Sequence, residues 1–197
     1  MHLRKNIKDR CCGILVSVFV NSAFFVIYFF ISAQKENRFK EEIVPIQIKT
    51  KKGIVSFDTD EHPRPATTSE ALAKLKAVFI ENTGVVTAGN ASGICDGAAS
   101  LVVASEEAVK RNDLSPLAKI LSWHYVGVEP TIMGIGPVPA IRTALKRAGL
   151  QLKDMDLVEV NEAFAAQYLA VEKELGLDRS KTNTNGGAIA LGHPLGK

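Results

Sequence analysis

From Cys11 to Ala33 the chain runs 23 residues without a formally charged side chain, and five of its nine phenylalanines fall there (Phe19, Phe24, Phe25, Phe29, Phe30). So much apolar surface has to leave water, into lipid or into a protein core. As a helix rising ~1.5 Å per residue, the run would cross a hydrocarbon layer of roughly 30 Å. Arg4, Lys5, Lys8 and Arg10 ahead of it would then keep the N-terminus cytoplasmic. The run is longer than the apolar part of a typical cleaved signal peptide. Its aromatic and β-branched content also suits a buried helix or strand, so both destinations stay open. Cys11 and Cys12 would be acylated at a membrane edge, or are simply small apolar residues.

Beyond Ala33 the texture is that of a folded globular protein. The first 33 residues hold four of the 24 basic and one of the 21 acidic residues, so the body is neutral, with 20 of each. A nucleic-acid binder needs a basic face, and this body offers none. Three cysteines in 197 residues exclude a disulfide scaffold, and their spacing fits no metal site.

Short elements alternate through the body. Lys35–Ile48 is charged and then extended, Lys49–Gly53 is a solvated turn, and Ile54–Phe57 is a short strand. Thr67-x-x-Glu70 is a capping box predicting a helix to about Phe79. Val85–Thr87, Leu101–Ala104 and Leu157–Val160 are predicted strands, and Pro116–Val126 is mostly strand-like. Ser105 caps a helix through Arg111. Pro139 stands near the start of a helix that Gly149 ends. Asn161–Leu175 is a predicted helix with Phe164, Tyr168, Val171 and Leu175 on one apolar face. Strands alternating with helices indicate an α/β sandwich.

Four segments concentrate the chemistry. In DEHPRPAT (Asp60–Thr67), Arg64 precedes a helix N-terminus, where an anion is welcome. On spacing alone it is more simply a solvated arginine, and His62 an exposed histidine. TAGNASGICDGAA (Thr87–Ala99) has small residues and Ser92, which let a ligand approach the backbone or merely make a tight turn. VNEAF (Val160–Phe164) sits where a strand meets a helix. Its Asn and Glu would hold a water or polarise a carbonyl, or Asn161 would only cap the helix. NTNGGAIALGHPLG (Asn183–Gly196) surrounds His193, a candidate general base because histidine as a residue type is suited to proton transfer near neutral pH.

Together with EIVPIQIKTKKG (Glu42–Gly53), MGIGPVPA (Met133–Ala140) and DLVEVNEAFAAQ (Asp156–Gln167), these segments resemble, in order, the thiolases, specifically the mitochondrial-type 3-ketoacyl-CoA thiolases. The resemblance spans about Ala33–Gly196. It implies a layered αβαβα fold of two similar α/β halves, incomplete here. Residues 1–33 are an apolar segment outside the family, 34–110 the end of the N-terminal domain, and 111–197 the start of the C-terminal domain. It also implies an acyl-CoA C-acyltransferase of fatty-acid β-oxidation in the mitochondrial matrix, homo-oligomeric when complete, with coenzyme A as substrate and no separate cofactor or metal.

By the same resemblance, Arg64 and Thr67 lie where the family binds the nucleotide end of CoA, and Ser92 meets the pantetheine arm. His193 matches the histidine that deprotonates the nucleophilic cysteine, and Asn161 the residue positioning a water in the oxyanion hole. Neither family cysteine has a counterpart. Cys95 lies in the CoA-loop motif, where packing is its expected role. The chain is therefore expected to be truncated and inactive alone. The alternative is a non-catalytic fragment that binds CoA or a subunit, membrane-anchored through residues 11–33.

Overall fold

A computed structural model describes residues 26–196. Residues 26–35 form a helix, α1. Val26, Ile27 and Phe30 of α1 are buried against Leu72, Ala165, Ile189 and Ala190, and Phe39 stacks on Phe30 with ring centroids 5.4 Å apart. The described end of the apolar run thus belongs to a protein core. Residues 11–25 of the expected membrane segment lie outside the described residues. Among those described, no helix is long and apolar enough to cross a membrane.

Strands β1 (Ile46–Thr50) and β2 (Gly53–Phe57) pair antiparallel across a two-residue turn, Ile46 opposite Phe57 and Ile48 opposite Val55. Directly opposed residues share a face, so these four make one apolar side, which is exposed. Helix α2 covers only Ser69–Ala73, and its cap is Thr68, whose hydroxyl accepts the Ala71 N–H at 3.2 Å. The cap expected at Thr67 falls one residue later, and with Ala71 at the third helical position no capping box forms. The helix cannot reach Phe79, because Ala77 bridges Thr87 and the Val78 N–H donates to the Val86 carbonyl at 2.9 Å.

Helix α3 (Glu106–Arg111) starts at Ser105 as expected, the hydroxyl accepting from Ala108. After a 3₁₀ segment (Pro130–Ile135), α4 (Pro137–Ala148) begins at a proline and ends at Gly149, left-handed with φ 70°. Helix α5 (Ala165–Leu175) is shorter than expected at its start. Residues 163 and 164 are engaged elsewhere: the Ala163 carbonyl accepts from Ser92, and Phe164 bridges Ala91. Asn161 is therefore not a helix cap. Ala165 joins the first core cluster, while Tyr168 and Val171 join a second with Val138, Val160 and Leu177. One helix thereby ties both clusters together. The one-turn α6 (Ala188–Leu191) follows.

Four strand expectations need correction. Leu101–Ala104 is irregular, with Val102 94% exposed, and Pro116–Val126 has no regular structure, with Leu117 fully exposed. Apolar runs become strands only when a neighbouring edge receives their backbone groups, and none among the described residues lies beside these. Leu157–Val160 is reduced to one parallel bridge, Val158 to Thr182, and Val85–Thr87 to the Thr87 bridge.

Candidate active site

The turn after Val85 is built by Asn90. Its side-chain oxygen accepts the Thr87 N–H at 2.8 Å, and its amide donates to the Val85 carbonyl at 2.8 Å. Asn90 is buried, so each of these bonds satisfies a group that water does not reach. The turn then presents Ser92, whose N–H and hydroxyl both donate to the Ala163 carbonyl, at 3.0 and 3.1 Å. The Ala165 N–H returns a bond to the Asn90 carbonyl at 2.9 Å. The Ser92 loop and the strand-to-helix corner are thus stitched edge to edge.

The histidine loop docks on the same turn. The His193 N–H donates to the Gly93 carbonyl at 2.7 Å, and Ile94 and His193 form a parallel bridge. The Cys95 sulfur lies against Gly192, in keeping with packing. Three segments separated in sequence therefore converge, and they bring Asn161 Nδ2 within 3.2 Å of His193 Nε2. As a hydrogen bond this contact requires the amide to donate to an unprotonated Nε2, with the ring proton on Nδ1. A partly buried imidazole facing an amide pairs a base with an oriented donor.

The structure brings Ser92, Asn161 and His193 together. Arg64 and Thr67 lie farther out, in a turn closed by the Thr67 N–H donating to the Arg64 carbonyl at 3.0 Å. Arg64 is exposed. This loop still touches the site, since the His62 ring rests against Gly93, next to Ser92. Among the described residues no group of three or more His, Cys, Asp or Glu could hold a metal ion.

Sequence reasoning offered Glu162, with Asn161, as a group to hold a water or polarise a carbonyl, and it passed over Asn183. Glu162 is 1% exposed, and burial pushes its carboxyl above the ordinary range, against the opposing effect of its bond from Asn183. Asn183 is buried and left-handed, with φ 49°. An asparagine in a glycine-rich stretch is a usable signal for that conformation.

The comparisons with known proteins agree in kind. A thiolase N-terminal domain model matches residues 31–107, and a thiolase C-terminal domain model residues 114–197. The mitochondrial 3-ketoacyl-CoA thiolase of Homo sapiens is 62% identical over 165 residues, 84% of this chain and 41% of that protein. The crystal structure of human mitochondrial 3-ketoacyl-CoA thiolase aligns with TM-score 0.84 and 57% identity, over 92% of this chain and 46% of that one. A structure of the same human enzyme in complex with CoA aligns at 0.83 and 55%, over 92% and 44%. The chain thus spans about two fifths of the length of such relatives by sequence. The expected thiolase-like α/β fold is the fold found, in part. With both domain models matched in order along its length, this chain belongs to the thiolase family.

Proposed function

We propose that the chain supplies the CoA-binding and general-base portion of an acyl-CoA C-acyltransferase of fatty-acid β-oxidation. The reaction cleaves a 3-ketoacyl-CoA with free CoA, giving acetyl-CoA and a shortened acyl-CoA. The observation carrying this reading is the 3.2 Å contact of Asn161 with His193, held beside the Ser92 turn. In this reading His193 takes the proton of the attacking thiol, and its protonated ring then faces the thioester oxygen as charge develops there. Asn161 holds a water as a second donor. Prealigned donors in a dry site need no reorganisation as the oxyanion forms.

Ser92 would meet the pantetheine arm, with Arg64 and Thr67 at the nucleotide end of CoA. The exposed Arg64 is free to reach a phosphate, and His62 against Gly93 keeps its loop close to Ser92. No cofactor beyond CoA as substrate, and no metal, enters the reading. The mitochondrial relatives support a mitochondrial location, in the matrix by this reading, and family membership supports assembly into homo-oligomers. By the family resemblance none of Cys11, Cys12 and Cys95 matches the nucleophilic cysteine, and Cys95 packs on Gly192. In this reading these residues bind CoA and position the proton transfer.

Calorimetry with CoA tests the assignment. Arg64→Ala should weaken binding and flatten its dependence on salt, because a phosphate contact is lost. Ser92→Ala should weaken binding without altering the salt dependence. Equal affinity for both variants and the parent would reject the placement of CoA.

A further inference from the structure

One buried carboxyl group lies between the two residues proposed to do the chemistry. Glu162 follows Asn161 directly, and its side chain is 1% exposed. One oxygen accepts the Asn183 amide at 2.9 Å, and the other accepts the Ile189 N–H at 3.3 Å. Asn183 in turn grips the strand end before Asn161: it accepts the Val160 N–H and donates to the Val160 carbonyl, both at 2.9 Å. Ile189 lies in the single turn of α6, whose last residue, Leu191, is two positions before His193. The carboxyl group therefore fastens the segment bearing Asn161 to the segment bearing His193.

The fit leaves no slack. A Cβ on Gly187 would collide with all three atoms of the Glu162 carboxyl group, so only glycine lets α6 approach this closely. A buried acid serving stability alone would be replaceable by an apolar side chain. Here both oxygens receive N–H donors, one from the Asn183 side chain and one from the Ile189 backbone six residues on, which fixes a distance and a direction. The Asn161–His193 contact spans side chains that are not themselves locked by burial, Asn161 being exposed and His193 half-buried. Their alignment has to come from the backbone beneath them.

We infer that Glu162 is a positioning residue, whose carboxyl clamp between Asn183 and α6 holds Asn161 in register with His193. It acts through those two side chains and does not meet the substrate. The inference rests on the reading of Asn161 and His193 as a working pair. Its consequence, however, is visible in the imidazole itself, without turnover or CoA.

The test is ¹⁵N-histidine NMR of the full 197-residue chain. In the parent, His193 should hold one tautomer, protonated at Nδ1, because Nε2 accepts from Asn161. Asn161→Ala should lose that preference, and its two ring nitrogens should move toward the averaged pattern of free imidazole. Glu162→Gln keeps the shape but presents a donor to one of its two N–H partners, and it should show the same loss. Gly187→Ala displaces the carboxyl group from the other side and should do so too. Val171→Ala, in the second core cluster, should leave the ring as in the parent.

A parent-like His193 in both Glu162→Gln and Gly187→Ala would overturn the inference. So would a His193 change in Val171→Ala as large as theirs, or global unfolding of Glu162→Gln, since the carboxyl group would then hold the chain and not the pair. Failure of CoA to bind would count against the proposed function and leave this result standing.

Discussion

Glu162 is an ionisable group set where water does not reach, and this gives the molecule a pH dependence of definite sign. Burial is the main cause of its raised pKa, with the charge of Glu159 adding to it and the Asn183 and Ile189 bonds opposing it. Below the ordinary value of 4.5 the group is protonated in both folded and unfolded chains, and its contribution to stability is fully present. As pH rises, the unfolded chain ionises first and stability falls until the raised folded value is passed. Glu162→Gln should therefore lose less stability than the parent between pH 4.5 and neutrality, as read by urea unfolding at a series of pH values. Glu159 is also raised by burial, so some slope should remain. Identical slopes would mean that Glu162 is not strained by its surroundings. At this scale the sequence singles out Ser92, Asn161 and His193, where chemistry and family pattern coincide, and the structure places them near one another. It did not carry the clamp, because the significance of Glu162 depends on which N–H groups meet it, and those, the Asn183 amide and the Ile189 backbone, lie over twenty residues away.

The elements that sequence reasoning places well are those whose ends are set by local bonds. Ser105 before α3 and Gly149 after α4 act on their own helices, and both stand where expected. Displaced or missing elements depend on distant partners instead. Helix α2 was expected from Thr67 to Phe79, but its tail is taken by the pairing of Ala77 and Val78 with residues 86 and 87. The strands expected at 101–104 and 116–126 lack a receiving edge among the described residues. Helix α2 also offers a sharp test between two adjacent threonines. Thr68→Ala removes the hydroxyl that accepts from Ala71 and should cost about 1 kcal/mol. Thr67→Ala touches no cap and should cost little. Chemical denaturation of the two variants checks this, and a larger loss at Thr67 would restore the capping box as first placed.

At the scale of the molecule, the two core clusters leave a good deal of apolar surface uncovered. Leu101, Val102 and Val103 are 88%, 94% and 78% exposed, and one side of the β1–β2 hairpin is also open. Contiguous apolar surface of this kind favours association. The chain is expected to self-associate with rising concentration, eluting from a sizing column ahead of its monomer position. Leu101→Ser, Val102→Thr and Val103→Ser combined should shift it toward smaller species. A monodisperse parent with one cooperative unfolding transition would show that these segments need no cover. The overall fold was legible because ordered motifs, from Glu42 to Gly196, carry a family pattern that no single element carries. The same long reach that hides the clamp from local reading also sets a timetable. Gly93 and His193, joined by one backbone bond, stand 100 residues apart in the chain. At synthesis rates of ~5–20 residues per second, roughly 5–20 s separate their appearance on the ribosome. Within that interval the Ser92 turn first gains Ala163 to close upon, but the Gly93 carbonyl stays without its donor, and the site comes into being only when its last strip arrives.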